Sequence, residues 1–282
     1  MTGNGSPAAN ARRRVTNLWV GRRDHVAEWA RIRLELLEER RLLEQVRAGR
    51  DVCWPDGAEH EPLVTVRVAT FDRGPLVAER ALASAVAQTY QRLEILVVGD
   101  HCTPETAAAV RSVHDSRIRF VNLPAQGIYP PGAAARRKVA GSHPMNVARS
   151  LAEGTWIAPL DDDDEFTPDH VEVLLAEARR GRYELVHSQA TLEVSPGVTK
   201  LVGGEPLRCG NVAHGSVLYS AGLRFLPHSN TSWKQGRPSD WDLWDRMQRI
   251  GVRIGYLPQV TFHAYLPSAA RARLAAGDDA EA

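Results

Sequence analysis

From residue 63 onward, short apolar runs alternate with segments of helical character, and this alternation limits the folds open to the chain. The runs LVTVRVAT (63–70), LEILVVG (93–99), RIRFVNL (117–123) and TWIAPL (155–160) have the length and residue types of buried strands. Helices are predicted over residues 76–90, 104–114, 143–154 and 168–181. The pattern predicts an α/β fold in which helices cover both faces of a mostly parallel sheet.

The charge balance and the cysteines exclude several classes of protein. The 282 residues include 35 Lys and Arg against 34 Asp and Glu, so no global field favours nucleic acid or a membrane. No apolar run approaches the ~20 residues of a membrane span, and the N-terminus lacks a secretory signal. Cys53, Cys102 and Cys209 form no CxxC pair, so no zinc site or disulfide framework is indicated. We expect a cytoplasmic protein without a transmembrane segment, with peripheral contact at the inner membrane face as an alternative.

Composition divides the chain into four segments. Residues 1–22 are small and polar, which predicts a disordered tail, and residues 23–60 form a helical extension with a turn-rich linker. The main domain spans residues 61–266, and residues 267–282 form a C-terminal tail.

The extension predicts one amphipathic helix, with Asp24 as its N-cap and Gly49 at its end. Its apolar face consists of Trp29, Ile32, Leu36, Leu43 and Val46. We expect this helix to pack on the main domain or to form a homodimer contact. Binding to a membrane surface is the weaker alternative, because the acids of the helix balance its bases.

Acidic side chains follow three of the predicted strands. Asp72 and Asp100 each end one strand, and four aspartates, 161–164, end another. In open α/β sheets, ligands bind at the carboxyl ends of the strands. Two carboxylates ~4 Å apart repel by ~1 kcal/mol in water and by ~4 kcal/mol at a protein-like dielectric. The cluster therefore predicts a bound cation or a hydroxyl-rich ligand, and ordinary solvated turns are the alternative.

Three longer stretches occur in an order that resembles one enzyme family. They are SAVAQTYQRLEILVVGD (84–100), NVARSLAEGTWIAPLDDDDEFTPDH (146–170) and GRPSDWDLWDRMQRIGVRIGYLPQVTFHAY (236–265). Together they resemble the family 2 glycosyltransferases, which are inverting nucleotide-sugar enzymes. The resemblance implies the GT-A (nucleotide-diphospho-sugar transferase) fold, a Rossmann-like mixed sheet, here with an N-terminal helical extension. It also implies transfer of a hexose-type sugar from a nucleoside diphosphate to a hydroxyl acceptor.

The resemblance assigns the aspartate cluster to an Asp-x-Asp motif. Asp163 matches its last acid, the ligand of a divalent cation, Mn2+ or Mg2+. Asp161 matches the first acid, which faces the ribose or a metal-bound water, and Asp162 fills the middle position among the donor contacts. Such a cation stabilises the departing diphosphate. His263 is a further candidate for metal contact, which would favour Mn2+, although a lone histidine is also common as a satisfied structural group.

The resemblance also implies donor contacts at Thr70, Asp72, Asp100 and Asn146. An acid beside the nucleobase accepts a ring N–H, and uridine is the first choice, with guanosine and thymidine open. The alternative for Asp72 and Asp100 is an ordinary role in turns.

Asp240 matches the general base of the family, which takes a proton from the acceptor hydroxyl. Asp242 is the rival for this role, and helix capping is the structural alternative for both. Contacts to the acceptor or the pyrophosphate are expected from four further residues: His214, Trp241, Arg137 and Lys138. For the two basic residues, a solvated basic loop is the alternative.

Two other functions stay open from the sequence. A non-catalytic binding or assembly protein could use the same fold. A sugar nucleotidyltransferase is the less expected alternative, since TFDRGPLV (70–77) contains one glycine where such enzymes carry a glycine-rich phosphate loop. The sequence does not identify the acceptor: a glycan, a lipid-linked saccharide, a protein and a metabolite are all compatible with it.

Overall fold

The computed structural model describes residues 31–49 and 61–265. The predictions for the two tails, the linker, Asp24, Trp29 and Cys53 lie outside the described residues. The predicted helix of the extension is present as α1 over residues 31–48.

The first half of the main domain follows the predicted alternation of strands and helices. After β1 (Val64–Thr70), a π-helical segment (Val77–Leu82) continues into α2 (Ala83–Val86). The chain then forms β2 (Leu93–Gly99), α3 (Pro104–Ser112), β3 (Ile118–Asn122), α4 (Ala133–Val139), α5 (Ser142–Leu151) and β4 (Trp156–Asp161).

The second half contains most of the antiparallel pairing. Its strands and helices are β5 (Glu165–Phe166), α6 (His170–Gly181), β6 (Leu185–Ser195), β7 (Val198–Val202), β8 (Val217–Ser220), α7 (Ser239–Ile250) and β9 (Ile254–Ala264). Short 3-10 turns occur at His214–Ser216, Ala221–Leu223 and Ser232–Gln235.

All the described strands belong to one mixed sheet. Its order is β3-β2-β1-β4-β8-β6-β9-β5, and β7 pairs with β6. The strands β3, β2, β1 and β4 are parallel, as predicted. The strand β8 runs antiparallel to both β4 and β6, while β9 is parallel to β6. The parallel half therefore brings the carboxyl ends of β1, β2 and β4 to one edge.

Two apolar cores confirm that helices cover both faces of the sheet. In β2, Ile95 and Val97 face a core that includes residues of the π-helical segment, α3 and α6. Leu96 and Val98 face a second core that includes Trp244 of α7 and residues of α1 and α5. The alternation within one strand thus builds both cores.

The helix α1 packs on the main domain, which confirms one of the two contacts predicted for it. Leu43 is fully buried in the second core. Arg40 donates a hydrogen bond to the carbonyl of Arg249 at the end of α7. Arg47 binds both carboxylate oxygens of Glu184, at 2.8 and 2.6 Å, which fixes the far end of α1.

Two predicted helices end earlier than expected, because hydrogen bonds to other parts of the chain replace those that would continue the helix. The helix predicted over 143–154 ends at Leu151, since Gly154 lies against β1, where a Cβ atom would come 2.6 Å from the Thr65 nitrogen. The helix predicted over 76–90 ends at Val86. Beyond it, the buried Gln88 bonds to the backbone of Thr167 and Val171.

Cys102 is a buried free thiol and Cys209 an exposed one. Within residues 31–49 and 61–265, none of the helices combines the length and apolarity needed to span a membrane.

The Arg47–Glu184 pair predicts a measurable contribution of α1 to stability. The Glu184 side chain is 3% exposed, and although burial opposes its ionisation, Arg47 and Arg253 lower its pKa. Replacing Arg47 with Met should lower the free energy of unfolding by about 1–2 kcal/mol at pH 7, because it leaves a buried carboxylate with weaker compensation. Urea denaturation measures this.

Arg41→Met is the matched control, since Arg41 is an exposed residue of the same helix. A depressed carboxyl pKa stabilises the fold above the unfolded value, so the effect of Arg47→Met should shrink as the pH falls below about 4. Equal loss of stability in the two variants would contradict this role.

Candidate functional site

The carboxyl ends of β1, β2 and β4 lie side by side. Thr70 pairs with Gly99 across β1 and β2, and Ala69 pairs with Asp161 across β1 and β4. The backbone N–H of Asp100 donates to the carbonyl of Thr70 at 2.8 Å. The predicted strand-end acids therefore share one edge, called here the acidic rim: Asp72, Asp100 and Asp161 to Asp164.

A guanidinium group bridges two aspartates of the acidic rim. The Nε of Arg73 lies 3.0 Å from Oδ1 of Asp162, and its Nη2 lies 3.0 Å from Oδ2 of Asp163. Both carboxylates are largely buried, with side chains 10% and 14% exposed. Sequence reasoning missed Arg73, although its position directly after a strand-end acid was a usable signal.

Burial makes ionisation costly for three of the four consecutive aspartates of the acidic rim. It raises the pKa of Asp163 to about 6, with Arg73 acting in the opposite direction. Burial also raises the pKa of Asp162, again opposed by Arg73. Burial and the charge of Asp161 raise the pKa of Asp164 to about 9, although its Oδ1 accepts a hydrogen bond from the N–H of Tyr265. Positive charge at this edge would therefore be strongly favourable.

Asp161 is the exception, because its pKa is lowered. Burial acts against its ionisation, but the hydrogen bond from His214 and the charges of Arg67 and Arg73 outweigh that effect. The Nδ1 of His214 lies 2.9 Å from Oδ1 of Asp161. Asp161 is thus the carboxylate of the Asp-x-Asp motif that the surrounding protein keeps ionised.

Behind His214 lies Arg67, a buried arginine of β1. Its Nη2 lies 3.0 Å from Nε2 of His214, and its Nη1 lies 3.0 Å from Nε2 of His228. Sequence reasoning also missed Arg67 and His228. The signal was an arginine in the middle of the apolar run VTVRVAT, since arginine is rarely buried without a partner.

The predicted nucleobase contacts lie at the rim and carry structural bonds of their own. Asp100 accepts hydrogen bonds from the N–H of Gly127 at 2.8 Å and from the hydroxyl of Tyr129 at 2.7 Å. Asp72 accepts one from the N–H of Thr103, the residue preceding α3. Phe71, between Thr70 and Asp72, leaves 44% of its surface exposed. Their part in donor binding stays a prediction.

The two candidate bases sit differently in the first turn of α7. The Oδ1 of Asp240 accepts a hydrogen bond from the N–H of Trp241 at 2.7 Å, and within the described part of the chain it has no ion-pair partner. Asp242 is buried and its Oδ2 binds Nε of Arg246 at 3.1 Å. The carboxylate of Asp242 thus forms an ion pair with Arg246, whereas the carboxylate of Asp240 forms none among the described residues.

Other predicted site residues already have partners. The Nδ1 of His263 lies 2.6 Å from the hydroxyl of Thr191. The side-chain amide of Asn146 donates from Nδ2 to the carbonyl of His228 at 2.9 Å, and its Oδ1 accepts from the N–H of His228 at 2.8 Å. In the described ranges, no three His, Cys, Asp or Glu side chains are grouped to hold a metal ion.

Along α4 and its surroundings, the predicted phosphate and acceptor contacts are spread over the surface. Lys138 donates to the carbonyl of Gly236 at 2.9 Å, while Arg137 is exposed. Trp241 is partly buried against the second core. Their roles toward a ligand remain predictions.

A cavity of about 1020 Å³ lies between α1, α7 and residues 227–237. Its lining includes Glu39, Asn146, His228 and Asp242, but no aspartate of the acidic rim. It is therefore distinct from the acidic rim, although Asn146, a predicted donor contact, lines it.

Known proteins resemble this chain in sequence and in fold. Residues 65–195 match the sequence profile of the family described as Glycosyl transferase family 2. The UDP-Glc:alpha-D-GlcNAc-diphosphoundecaprenol beta-1,3-glucosyltransferase WfaP of Escherichia coli is 31% identical over 199 residues, covering 68% of this chain and 72% of that protein. The chain spans 38%, 32% and 21% of the lengths of three other curated relatives that it matches.

Two solved structures share the fold. S. aureus TarS 1-349 in complex with UDP has a TM-score of 0.55 at 17% identity, covering 78% of this chain and 67% of that one. The mannosyltransferase PcManGT from Pyrobaculum calidifontis, in complex with GDP-Man and Mn2+, has a TM-score of 0.50 at 20% identity, covering 84% and 67%. The fold predicted from the sequence, GT-A, is confirmed.

The ion pairs of Arg73 with Asp162 and Asp163 lead to a prediction of how stability depends on pH. The pKa of Asp163 is raised in the folded state, so the folded protein binds more protons, and stability falls as the pH rises from about 4 to about 6. Replacing Arg73 with Gln removes a charge that lowers the pKa of Asp162 and Asp163. Above pH 6, the raised pKa of Asp164 lowers the stability of both proteins, and the variant should lose about 1–3 kcal/mol more than wild type by pH 8.

Urea denaturation with a chelator present, at pH 5.5 and pH 8, measures this difference. Arg92→Gln is the control, because Arg92 is exposed on the surface. If Arg73→Gln and wild type differ equally at both pH values, the guanidinium does not compensate these acids.

Proposed function

Because the chain belongs to glycosyl transferase family 2, as its 31% identity to WfaP over 72% of that protein shows, we propose that it transfers a sugar from a nucleoside diphosphate donor to a hydroxyl acceptor, with inversion. The observation that carries this proposal is the acidic rim. Asp161 to Asp163 end β4 beside the ends of β1 and β2, and Asp240 lies in the first turn of α7.

The donor base and ribose bind, in this proposal, at the ends of β1 and β2. The ring of Phe71 is exposed and flat, and it lies next to Thr70 and Asp72, so it suits stacking on a nucleobase. The carboxylates of Asp72 and Asp100 accept N–H or O–H groups of the nucleoside. Uridine is the first choice, supported by the UDP and UDP-Glc in the names of TarS and WfaP, while GDP-Man in the PcManGT complex keeps guanosine as the alternative.

The residues of the rim fit a divalent cation. Oxygen ligands suit Mg2+ and Mn2+, and such ions are commonly held by one or two carboxylates with substrate phosphates completing the shell. The raised pKa of Asp163 and the guanidinium of Arg73 both indicate that positive charge is favoured there. Asp163 would hold the cation, with Asp161 toward the ribose or a bound water. Once bound, the cation stabilises the charge that develops on the diphosphate.

Around that position, three basic residues and His263 would complete the donor site. Arg73 would break its ion pairs with Asp162 and Asp163 and pair instead with diphosphate oxygens, for which a guanidinium is well suited. Arg137 and Lys138 are kept as further pyrophosphate contacts. The Nδ1 of His263 is bonded to Thr191, so its Nε2 is the nitrogen left for a contact with the cation.

Asp240 is the proposed general base. It takes the proton of the acceptor hydroxyl as that oxygen forms a bond to the anomeric carbon, and the bond from this carbon to the diphosphate breaks on the opposite face. The nucleoside diphosphate leaves, and the stereochemistry at the anomeric carbon inverts. Asp242 is the weaker choice, because its charge is already paired with Arg246.

Nucleotide binding gives the first test. A thermal-shift screen of UDP, GDP and TDP, with and without Mn2+, should raise the melting temperature most for UDP with Mn2+, because ligand binding stabilises the folded state by mass action. Asp163→Asn should abolish the part of the shift that depends on Mn2+ and leave the unliganded melting temperature within a few degrees. A shift for UDP that is equal with and without Mn2+ would contradict metal dependence.

The base gives the second test. Asp240→Asn should lower kcat for sugar transfer by about 10²–10⁴-fold, the usual contribution of general base catalysis, while the UDP-induced thermal shift stays. Asp242→Asn should lower kcat by less than about tenfold and mainly affect stability, since it breaks the pair with Arg246. Activity retained in Asp240→Asn and lost in Asp242→Asn would reverse the assignment. Absence of transfer and of donor hydrolysis by wild type, across a panel of nucleotide sugars, would leave the binding or assembly protein and the sugar nucleotidyltransferase as the remaining functions.

A further inference from the structure

We propose that Arg67 and His214 are positioning residues that hold the carboxylate of Asp161 in one orientation. Part of this inference rests on the proposed function, because it concerns the first acid of the Asp-x-Asp motif. The rest concerns the hydrogen-bond directions inside the protein and does not depend on any reaction.

The first step is the burial of Arg67. It is 1% exposed, and no carboxylate contacts it among the described residues. Its hydrogen-bond partners are the carbonyl of Met145 and the Nε2 atoms of His214 and His228. A buried arginine without an acid in contact is unusual, since arginine is nearly always paired when buried.

The second step is the direction of these hydrogen bonds. A guanidinium group has donors only and stays protonated. The Nε2 atoms of His214 and His228 must therefore accept, so each ring is neutral and carries its proton on Nδ1. A doubly protonated His214 would place an N–H against the N–H of Arg67. Burial and the charge of Arg67 lower the pKa of His228 well below its ordinary value, which agrees with a neutral ring.

The third step leads to Asp161. Since His214 carries its proton on Nδ1, that N–H donates to Oδ1 of Asp161 at 2.9 Å. The Oδ2 atom has no hydrogen-bond partner in the described part of the chain, and the side chain is 32% exposed. The Oδ1 atom is thus held by a series of hydrogen bonds that runs from buried Arg67 through His214 to Asp161. The Oδ2 atom is free to contact a ligand at the rim.

The fourth step explains why the charge of Arg67 is useful. Asp161 stands next to Asp162 and Asp163, whose compensation comes from Arg73. When the proposed donor displaces Arg73, Asp161 would still be compensated from within the protein, through His214. A second layer of hydrogen bonds that orients a ligand-binding carboxylate typically changes affinity by 10–100-fold when it is removed.

The matched variants are His214→Asn and His214→Gln. The amide N–H of Asn can take the place of Nδ1 and still donate to Asp161, whereas the amide of Gln reaches the position of Nε2 and faces Arg67. We expect the KM for the donor to rise at least about tenfold in His214→Gln and by less than about threefold in His214→Asn, with the KM for the acceptor changed by less in both. Arg67→Met should resemble His214→Gln, and Arg67→Lys covers the case in which Met prevents folding. The exposed His114→Gln is the control.

Long-range 1H–15N correlation spectra of histidine-labelled protein test the inference without any substrate. His214, assigned by the signal missing in His214→Asn, should show a proton on Nδ1 and none on Nε2. A proton on Nε2 in the wild-type protein overturns the proposal. So does equal loss of donor affinity in His214→Gln and His214→Asn. If the spectrum shows the Nδ1–H form and no nucleotide binds, the hydrogen-bond series stands and the proposed function fails.

Discussion

The structure depends on how positive charge is supplied to four consecutive aspartates at the end of a buried strand. Their burial raises the pKa of Asp162, Asp163 and Asp164, so each ionised group there is costly unless a cation compensates it. The protein supplies two guanidinium groups from opposite sides. Arg73 bridges two acids at the rim, and Arg67 reaches a third through His214 from inside the fold. A cation and a diphosphate are thus not needed for the cluster to be tolerated, but they would compete for the position of Arg73.

The sheet makes both contacts possible. In β1, the even-numbered valines fill one core, while Arg67 points toward the opposite face, where α5, α7 and α1 pack. Because β1 lies between β2 and β4, its carboxyl end carries Thr70 to Arg73 directly beside Asp100 and the aspartates of β4. The acidic rim is therefore a consequence of strand order, and its compensation is a consequence of which face each residue of β1 occupies.

Sequence reasoning found the local features and missed those that depend on distant parts of the chain. The predicted strand 93–99 agrees with β2 in full, since a continuous apolar run between turns defines its own limits. Arg67 contacts residues 147 and 161 positions away, which no local pattern shows. The helix predicted to end at Gly154 stops at Leu151, because that glycine permits close approach to β1. The antiparallel strands of the second half were not predicted individually.

The most direct test of this account is a crystal structure of the protein with UDP and Mn2+, with the ion located by anomalous scattering. The account predicts Mn2+ bound to Asp163, the guanidinium of Arg73 moved from the acids to the diphosphate, and Asp161 still bonded to His214. Strong UDP density with Arg73 still bridging Asp162 and Asp163, and no anomalous signal at the rim, would contradict it.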